Sequence, residues 1–193
     1  MEMNRSDFVK AAGVIAAGTA LTGVAAASAD EAVEKTLEQR VQELEDMRAI
    51  ERVQARYWDL MDAKDWDEFR DCFTDDFEFI NLDNGDHMQG GDDMVEVIKG
   101  IFPDGVTSSH HGHQHYITIT GTDTAIAHWA LQDDLYDAVN GGEFVGRAHY
   151  DNEYVRIDGQ WRCSKMVLKY LRGEGQLKKC LDGCVNAYNI FKM

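Results

Sequence analysis

Four β-like runs follow one another in the second half of this 193-residue chain, and they limit its possible folds more than any other feature. Apolar and polar side chains alternate within each run, as in half-buried strands. The runs extend over residues 113–120, 124–136, 144–157 and 160–170. Asp158-Gly159 is a tight-turn signal between the last two. Because short connections make consecutive strands antiparallel neighbours, this pattern predicts an antiparallel meander.

Helical patterns come before the meander. Apolar residues recur at helical spacing from about Glu31 to Ala63, which predicts a long amphipathic helix. Asp65, with a glutamate three residues later, has the pattern of a capping box and opens a second, short helix. A third helix is expected from Met94 to Phe102, before Pro103. Helices followed by a meander predict an α+β fold, with N-terminal helices packed on one face of a curved, mostly antiparallel sheet.

The first 29 residues have the features of an export signal. Arg5 and Lys10 precede an Ala/Gly-rich apolar run, and Ala27-Ser28-Ala29 forms a small-residue cleavage site. The pattern is similar to a twin-arginine signal, with Ser6 in place of the second arginine. We therefore expect export to the cell envelope or the extracellular space, with an uncleaved anchor as the alternative. Residues 30–172 are expected to form one domain and residues 173–193 a helical tail.

The composition narrows the range of partners. A formal net charge of −16, with no cluster of lysine and arginine, argues against binding to nucleic acid and against stable membrane insertion of the mature domain. Cys72, Cys163, Cys180 and Cys184 lack the spacing of a structural zinc site. Cys180 and Cys184 are one helical turn apart, so they either pair after export or remain buried thiols.

A cluster of histidines is expected at the entrance of the first strand of the meander. His110, His111, His113 and His115 account for four of the seven histidines of the chain. Imidazole can take or give a proton near neutral pH, which favours acid–base chemistry at this position. A metal site is the alternative, since His111, His113 and His115 project the same way along an extended strand. Same-face neighbours lie about 7 Å apart, too far for one small ion, so no metal is predicted.

Two carboxylates are candidates for partners of these histidines. Alternation along the strand from Thr124 places Asp133 on the same face as Trp129 and Leu135. A carboxylate among apolar neighbours is either paired for structural reasons or retained for function, and the pattern leaves both interpretations open. Asp62 lies near the end of the first helix, where an acid opposes the helix dipole, so a cationic partner such as histidine is expected.

Several segments together resemble a known family. They are Glu38–Glu51, Arg56–Asp67, His110–His113, Trp129–Asp133 and Tyr154–Trp161. In this order they are similar to the SnoaL-like branch of the NTF2-like superfamily, most of all to bile-acid 7α-dehydratases and more distantly to scytalone dehydratases. The resemblance extends from about Leu37 to about Tyr170. It implies a cone formed by a curved sheet and helices around one deep apolar pocket.

The resemblance also implies a set of catalytic residues. Tyr57, Asp62, His110 and Asp133 match the catalytic tyrosine, the Asp-His dyad and the pocket aspartate of the family. The implied reaction needs no cofactor. His110, oriented by Asp62, removes a proton next to a carbonyl or along its conjugated system, and Tyr57 donates a hydrogen bond to the enolate oxygen. Asp133 then helps to protonate the departing hydroxyl, so the expected activity is that of a dehydratase acting on a small apolar hydroxy-ketone of the steroid, bile-acid or polycyclic type.

Positions that shape the substrate pocket depart from the family pattern. Leu82 stands where a second pocket tyrosine is expected, and Tyr170 stands where an arginine is expected. The full set of predicted substrate-binding residues is Leu82, His113, Trp129, Tyr150, Asn152 and Tyr170. A ketosteroid-type double-bond isomerase and a binding protein without catalysis are the alternatives.

The resemblance also implies a homodimer or homotrimer. Leu37, Val41 and Leu44 lie on the polar first half of the long helix. They either contact a partner subunit or are exposed to solvent.

Overall fold

The structure is a computed structural model that describes residues 34–177. The predicted export signal and the predicted tail beyond residue 177, with Cys180 and Cys184, lie outside the described residues. The helices are α1 (Leu37–Ala63), α2 (Trp66–Arg70) and α3 (Gly91–Ile101), and the strands are β1 (Phe73–Asn81), β2 (His87–Gln89), β3 (Val106–Gly121), β4 (Thr124–Asp137), β5 (Gly142–Ile157) and β6 (Gln160–Leu177). Within this part of the chain, no helix is long and apolar enough to cross a membrane.

The six strands form one curved, open sheet with the order β2-β1-β6-β5-β4-β3. Strands β3 to β6 are the predicted meander, and each pairs antiparallel with the next. The β1–β6 pair is parallel, while β1 and β2 form an antiparallel hairpin. The prediction of an α+β fold with N-terminal helices and a mostly antiparallel sheet is therefore confirmed.

Two strand boundaries of the meander differ from the prediction by more than two residues. Strand β3 begins at Val106, so His110 lies inside the strand and not at its entrance. The segment before His110 is short and polar and lacks alternation, but its backbone pairs residue by residue with the end of β4. Strand β6 continues through Leu177 because it pairs with the first residues of β5. Residues 173–177 thus belong to the sheet and not to a helical tail.

Helix α1 begins later than its apolar pattern suggested. Thr36 is the N-cap, and a capping box with Gln39 satisfies the first backbone N–H groups. The second half of α1 packs on the sheet with Ile50, Tyr57 and Met61 buried. In its first two turns the apolar residues Leu37, Val41 and Leu44 are exposed, whereas the buried Asp46 already contacts the sheet by accepting from Trp161 Nε1 at 3.1 Å.

A buried polar cluster fixes α1 on the sheet next to the functional residues. Gln54 Oε1 accepts hydrogen bonds from Asn152 Nδ2 at 2.9 Å and from the Tyr154 hydroxyl at 2.5 Å. All three residues are buried. These bonds tie α1 to β5. Because Gln54 lies one turn before Tyr57, they also fix the position of Tyr57 relative to β5.

The end of α1 directs Asp62 toward β3. Lys64 ends the helix in the left-handed conformation, and its ammonium group donates to the carbonyl of Val106 at 2.6 Å. Asp65 then caps α2, as the sequence predicts, by accepting from the backbone N–H of Glu68. This turn holds the last residues of α1 against the start of β3.

Candidate active site

A cavity lies between the inner face of the sheet, α1 and α3. Its volume is about 100 Å³, counted as the space that the centre of a water molecule can reach, and the cavity is partly open to solvent. Most of its wall is apolar and includes Met61, Met94, Ile98 and Phe102. Its polar lining consists of Tyr57, Asp86, His110, Asp133, Tyr150 and Tyr170. Five of these six residues are sequence-predicted site residues.

Asp62 and His110 form a hydrogen-bonded dyad at the wall of this cavity. Asp62 Oδ1 lies 2.6 Å from His110 Nδ1, and Asp62 Oδ2 accepts from the backbone N–H of His110 at 2.9 Å. The hydroxyl of Ser108 donates to Asp62 Oδ1 at 2.7 Å. A carboxylate accepting from Nδ1–H leaves Nε2 as the basic nitrogen of the ring. The His110 side chain is only 4% exposed, so its base acts in a largely dry environment.

The hydrogen bonds of the dyad keep Asp62 charged. Burial opposes the charge, but the hydrogen bond and the positive charge of His110, together with the Ser108 bond, hold the pKa of Asp62 below its usual range. The negative carboxylate can therefore stabilise the imidazolium that forms when His110 takes a proton.

Asp133 faces His110 across the sheet. The β3–β4 register pairs these two residues directly, and both side chains lie on the inner face. Asp133 is 2% exposed, and its Oδ2 lies 2.5 Å from the Tyr170 hydroxyl. Burial raises the pKa of Asp133 above its usual range, although the Tyr170 bond opposes the shift. A buried carboxyl of this kind can hold a proton and give it up during a reaction.

Tyr57 and Tyr150 place two phenol groups beside this acid. Their ring centroids are 6.2 Å apart, and the two rings pack edge to face. Burial raises the pKa of Tyr57 well above its usual value, so the phenol stays neutral and can donate. The rings of Phe69 and Phe73, at 5.4 and 5.9 Å, hold Tyr57 in place.

Four predicted substrate-binding residues are absent from the cavity wall in the described part of the chain. Leu82 is 57% exposed because it follows the end of β1, where the chain leaves the sheet. Trp129 instead packs edge-on against Trp58. Asn152 belongs to the buried cluster with Gln54 described above. The exposed ring of His113 stacks at 6.4 Å on that of His111.

A bulge in β3 separates the histidines that the sequence placed on one face. The register shifts between His113 and Tyr116, and Gln114 has a φ of 45°. His115 therefore stacks on Trp129, away from His111 and His113. Among the described residues, no group of three or more His, Cys, Asp or Glu side chains is arranged to hold a metal ion.

Sequence reasoning missed Ser108 and Gly146. Ser108 lies two residues before His110 in β3, so strand alternation places both side chains on the same face, but the predicted strand began only at residue 113. Gly146 lies opposite Asp133 in the β4–β5 pair and leaves space for its carboxyl group. No local signal distinguishes this glycine, because only strand pairing brings it next to the acid.

These groups together provide the parts of a carbon-acid site. His110 Nε2 is placed to act as a base, neutral phenol donors stand nearby, and Asp133, whose pKa is raised by burial, lies across from the base. In an apolar cavity, hydrogen bonds aimed at a developing enolate are stronger than in water. The arrangement can therefore remove a proton next to a carbonyl, stabilise the resulting charge and protonate a second atom.

The chain is similar to several proteins of known structure. One is a putative scytalone dehydratase from Novosphingobium aromaticivorans, with a TM-score of 0.66 and 21% identity over 72% of this chain and 93% of that one. Another is the hexachlorocyclohexane dehydrochlorinase LinA-type3 from Novosphingobium barchaimii, with a TM-score of 0.64 and 16% identity over 72% and 96%. ActVI-ORFA from Streptomyces coelicolor has a TM-score of 0.56 and 12% identity over 64% and 96%.

The similarity at the sequence level is to one domain family. Residues 42–167 match the model of the SnoaL-like domain, which accounts for most of the chain. The chain therefore belongs to the SnoaL-like domain family and has its NTF2-like fold.

Proposed function

We propose that the protein is a cofactor-independent carbon–oxygen lyase that removes water from a hydroxylated ketone. The observation that carries this proposal is the His110–Asp62 dyad, which opens into the same apolar cavity as the buried Asp133. His110 and Asp133 lie opposite each other on neighbouring strands. A base and a carboxyl with a raised pKa in this arrangement suit a reaction that takes a proton from carbon and gives one to a leaving oxygen.

The proposed reaction begins with proton removal. His110 Nε2 takes the proton from the carbon next to the carbonyl, or from its vinylogous position, while Asp62 stabilises the imidazolium. The hydroxyl of Tyr57 donates to the enolate oxygen, and edge-to-face packing on Tyr150 orients the Tyr57 ring. Asp133 supplies the proton for the hydroxyl that departs. The side chains of this site thus supply each proton transfer.

The expected substrate is a small apolar hydroxy-ketone of the steroid, bile-acid or polycyclic type. The apolar wall supports this choice, and so does the resemblance to bile-acid 7α-dehydratases and scytalone dehydratases. Tyr170 replaces the arginine expected near the end of the last strand. A neutral phenol at that position favours a substrate that is uncharged there.

Mass spectrometry with a substrate panel tests the proposal. Hydroxylated 3-oxo-4-ene steroids, bile-acid intermediates and polyketide ketones are incubated with the wild type, with His110→Ala and with His111→Ala. His111 is an exposed neighbour on the same strand and is the matched control. We expect loss of one water with the wild type and the control, and about 100-fold or more slower loss with His110→Ala.

The other outcomes point to different functions. A product of unchanged mass with an altered ultraviolet spectrum indicates a double-bond isomerase, which needs no leaving group. Binding of a panel compound without any chemical change, and with equal affinity for the wild type and His110→Ala, indicates a binding protein. Either result overturns the dehydratase proposal.

We further propose that the chain is exported and forms a homodimer or homotrimer. Export rests on the signal features of residues 1–29, and its test is N-terminal sequencing of protein recovered from cell fractions. Cleavage after Ala29 in an envelope or extracellular fraction supports it, whereas an intact cytoplasmic chain contradicts it. Assembly rests on the family resemblance and on the exposed Leu37, Val41 and Leu44. Sedimentation of the wild type and of Leu44→Glu would show whether this face forms the contact.

A further inference from the structure

We propose that the proton for the departing hydroxyl reaches it through Tyr170, with Asp133 behind Tyr170 as a relay. The inference rests on the proposed function. It gives Tyr170 the donation of the proton to the departing hydroxyl, which the family resemblance implied for Asp133. Tyr170 is then the catalytic residue that touches the leaving group. Asp133 acts through it.

The surroundings of the Asp133 carboxyl carry this inference. Oδ2 is in contact with the Tyr170 hydroxyl at 2.5 Å. Oδ1 is buried and has no hydrogen-bond partner among the described residues. A Cβ atom added at Gly146 would lie 1.9 Å from Oδ1, so this oxygen occupies the space that a side chain would take. Among the described residues, the Tyr170 hydroxyl is thus the one hydrogen-bond partner of the carboxyl oxygens.

Position 146 requires glycine because the Asp133 carboxyl occupies the space of a side chain, and not because of its backbone conformation. Gly146 does not have a positive φ, in contrast to Gly141, Gly142 and Gly175. Its backbone conformation is therefore open to other residues, and only the close approach of Asp133 and Tyr170 excludes a side chain. The added Cβ would also lie 2.6 Å from Tyr170 Cε1. Gly146 thus keeps the acid and the phenol together.

A bulge and a side-chain bond direct Tyr170 into the cavity. The β5–β6 register shifts so that Ala148 pairs with Tyr170 while Arg147 pairs with Arg172. Such a bulge re-aims the side chains next to it. The backbone N–H of Tyr170 donates to Asp83 Oδ2 at 2.6 Å, which fixes the strand at this point. The Tyr170 ring is buried and forms part of the cavity wall.

The proton movements balance in this relay. When Asp133 is protonated on Oδ2, its O–H donates to the phenol oxygen, and the phenol hydrogen can point to an oxygen in the cavity. As the C–O bond breaks, the leaving oxygen keeps the bonding electrons and takes the phenol proton to form water. The Asp133 proton moves to the phenol oxygen, which leaves a carboxylate. The proton that His110 took from carbon returns to Asp133 through water after the product leaves.

The test separates proton removal from loss of water. Tyr170→Phe, Asp133→Asn and the double variant are compared with the wild type and with Tyr136→Phe, a control at an exposed tyrosine of β4. Deuterium uptake at the acidic carbon in D₂O reports the His110 step, and mass loss reports elimination. We expect both single variants to lose water about 100-fold more slowly while retaining deuterium uptake. The double variant should be no slower than either single one, because both residues act in one relay.

Two results would overturn the relay. If Tyr170→Phe eliminates water at the control rate while Asp133→Asn does not, Asp133 donates directly. If both retain the control rate, neither residue supplies the proton.

A second readout needs no substrate. Infrared spectroscopy of the free protein should show the C=O stretch of a protonated carboxyl that Asp133→Asn removes and Tyr170→Phe shifts. Failure of the proposed function appears as absence of any His110-dependent chemistry across the panel, and the infrared band then tests the Asp133–Tyr170 pairing by itself. A band that is missing, or that does not respond to Tyr170→Phe, refutes the Asp133–Tyr170 pairing.

Discussion

Replacing Asp62 by asparagine is the sharpest test of the dyad. Asp62 accepts three hydrogen bonds, from His110 Nδ1, from the His110 backbone and from Ser108. Asparagine has one acceptor oxygen and an NH₂ group that only donates. If the NH₂ group takes the Oδ2 position, it faces the backbone N–H of His110, so two donors meet and this hydrogen bond is lost. If it takes the Oδ1 position, it requires Nδ1 to accept, which moves the ring proton to Nε2 and removes the base.

The size of the effect follows from these contacts. A hydrogen bond to a charged group contributes about 1.5–3 kcal/mol. Asp62 makes this contribution to the imidazolium that forms during proton removal. At about 1.4 kcal/mol for each factor of ten, its loss lowers kcat/KM about 10- to 150-fold. The tautomer change adds to this loss, so we expect at least a 10-fold decrease by the same relation.

The assay is deuterium uptake from D₂O at the acidic carbon of an active panel compound. Asp59→Asn is the matched control, because Asp59 lies on the same helix and is exposed. Ser108→Ala removes one of the three bonds, so its effect should lie between those of the control and Asp62→Asn. Circular dichroism and thermal unfolding establish that each variant is folded.

One result would refute the reasoning about the dyad. If Asp62→Asn stays within about two-fold of the wild type, or about 0.4 kcal/mol, while His110→Ala is inactive, then Asp62 neither sets the tautomer nor stabilises the imidazolium. His110 would then act as a base without its carboxylate.

Three further predictions address the surroundings of the site. Gly146→Ala should displace the Asp133 carboxyl and slow elimination while sparing deuterium uptake, and an unchanged elimination rate would contradict the close approach. Burial raises the pKa of folded Asp133, so its contribution to stability is complete at low pH and is lost as the pH rises through that pKa. The Tm of Asp133→Asn should therefore gain on that of the wild type as the pH rises above about 4, and a constant difference would be contrary evidence. Gln54→Ala leaves two buried donors, from Asn152 and Tyr154, without their acceptor, so the free energy of unfolding in urea should fall by about 1–3 kcal/mol for each donor. A smaller decrease would show that other groups satisfy these donors.

Much of the fold could be predicted because its signals are local. The alternation of β4 places Asp133 on the buried face, and the structure has it there. The Asp65 cap and the order of helices before the meander are also as predicted. Caps and alternation depend on residues within a few positions of one another, so a sequence displays them directly.

The residues of the site could be predicted from local sequence signals less completely than the fold. Resemblance to a family supplied Tyr57, Asp62, His110 and Asp133, and all four lie at or beside one cavity. Leu82 was assigned to the pocket by the same reasoning, but its place just beyond the end of β1 turns it to solvent. The fate of a side chain at a strand end depends on where the chain turns, which alternation does not report.

The sequence by itself determined the class of fold, the buried acid on β4 and the residue types available for proton transfer. Only the tertiary structure decided which of these residues meet. Strand register sets His110 opposite Asp133 and Asp133 opposite Gly146, and a bulge in β6 directs Tyr170 to the acid. Register and bulges depend on pairing between strands that are distant in the chain, and a shift of one residue would turn each side chain to the other face.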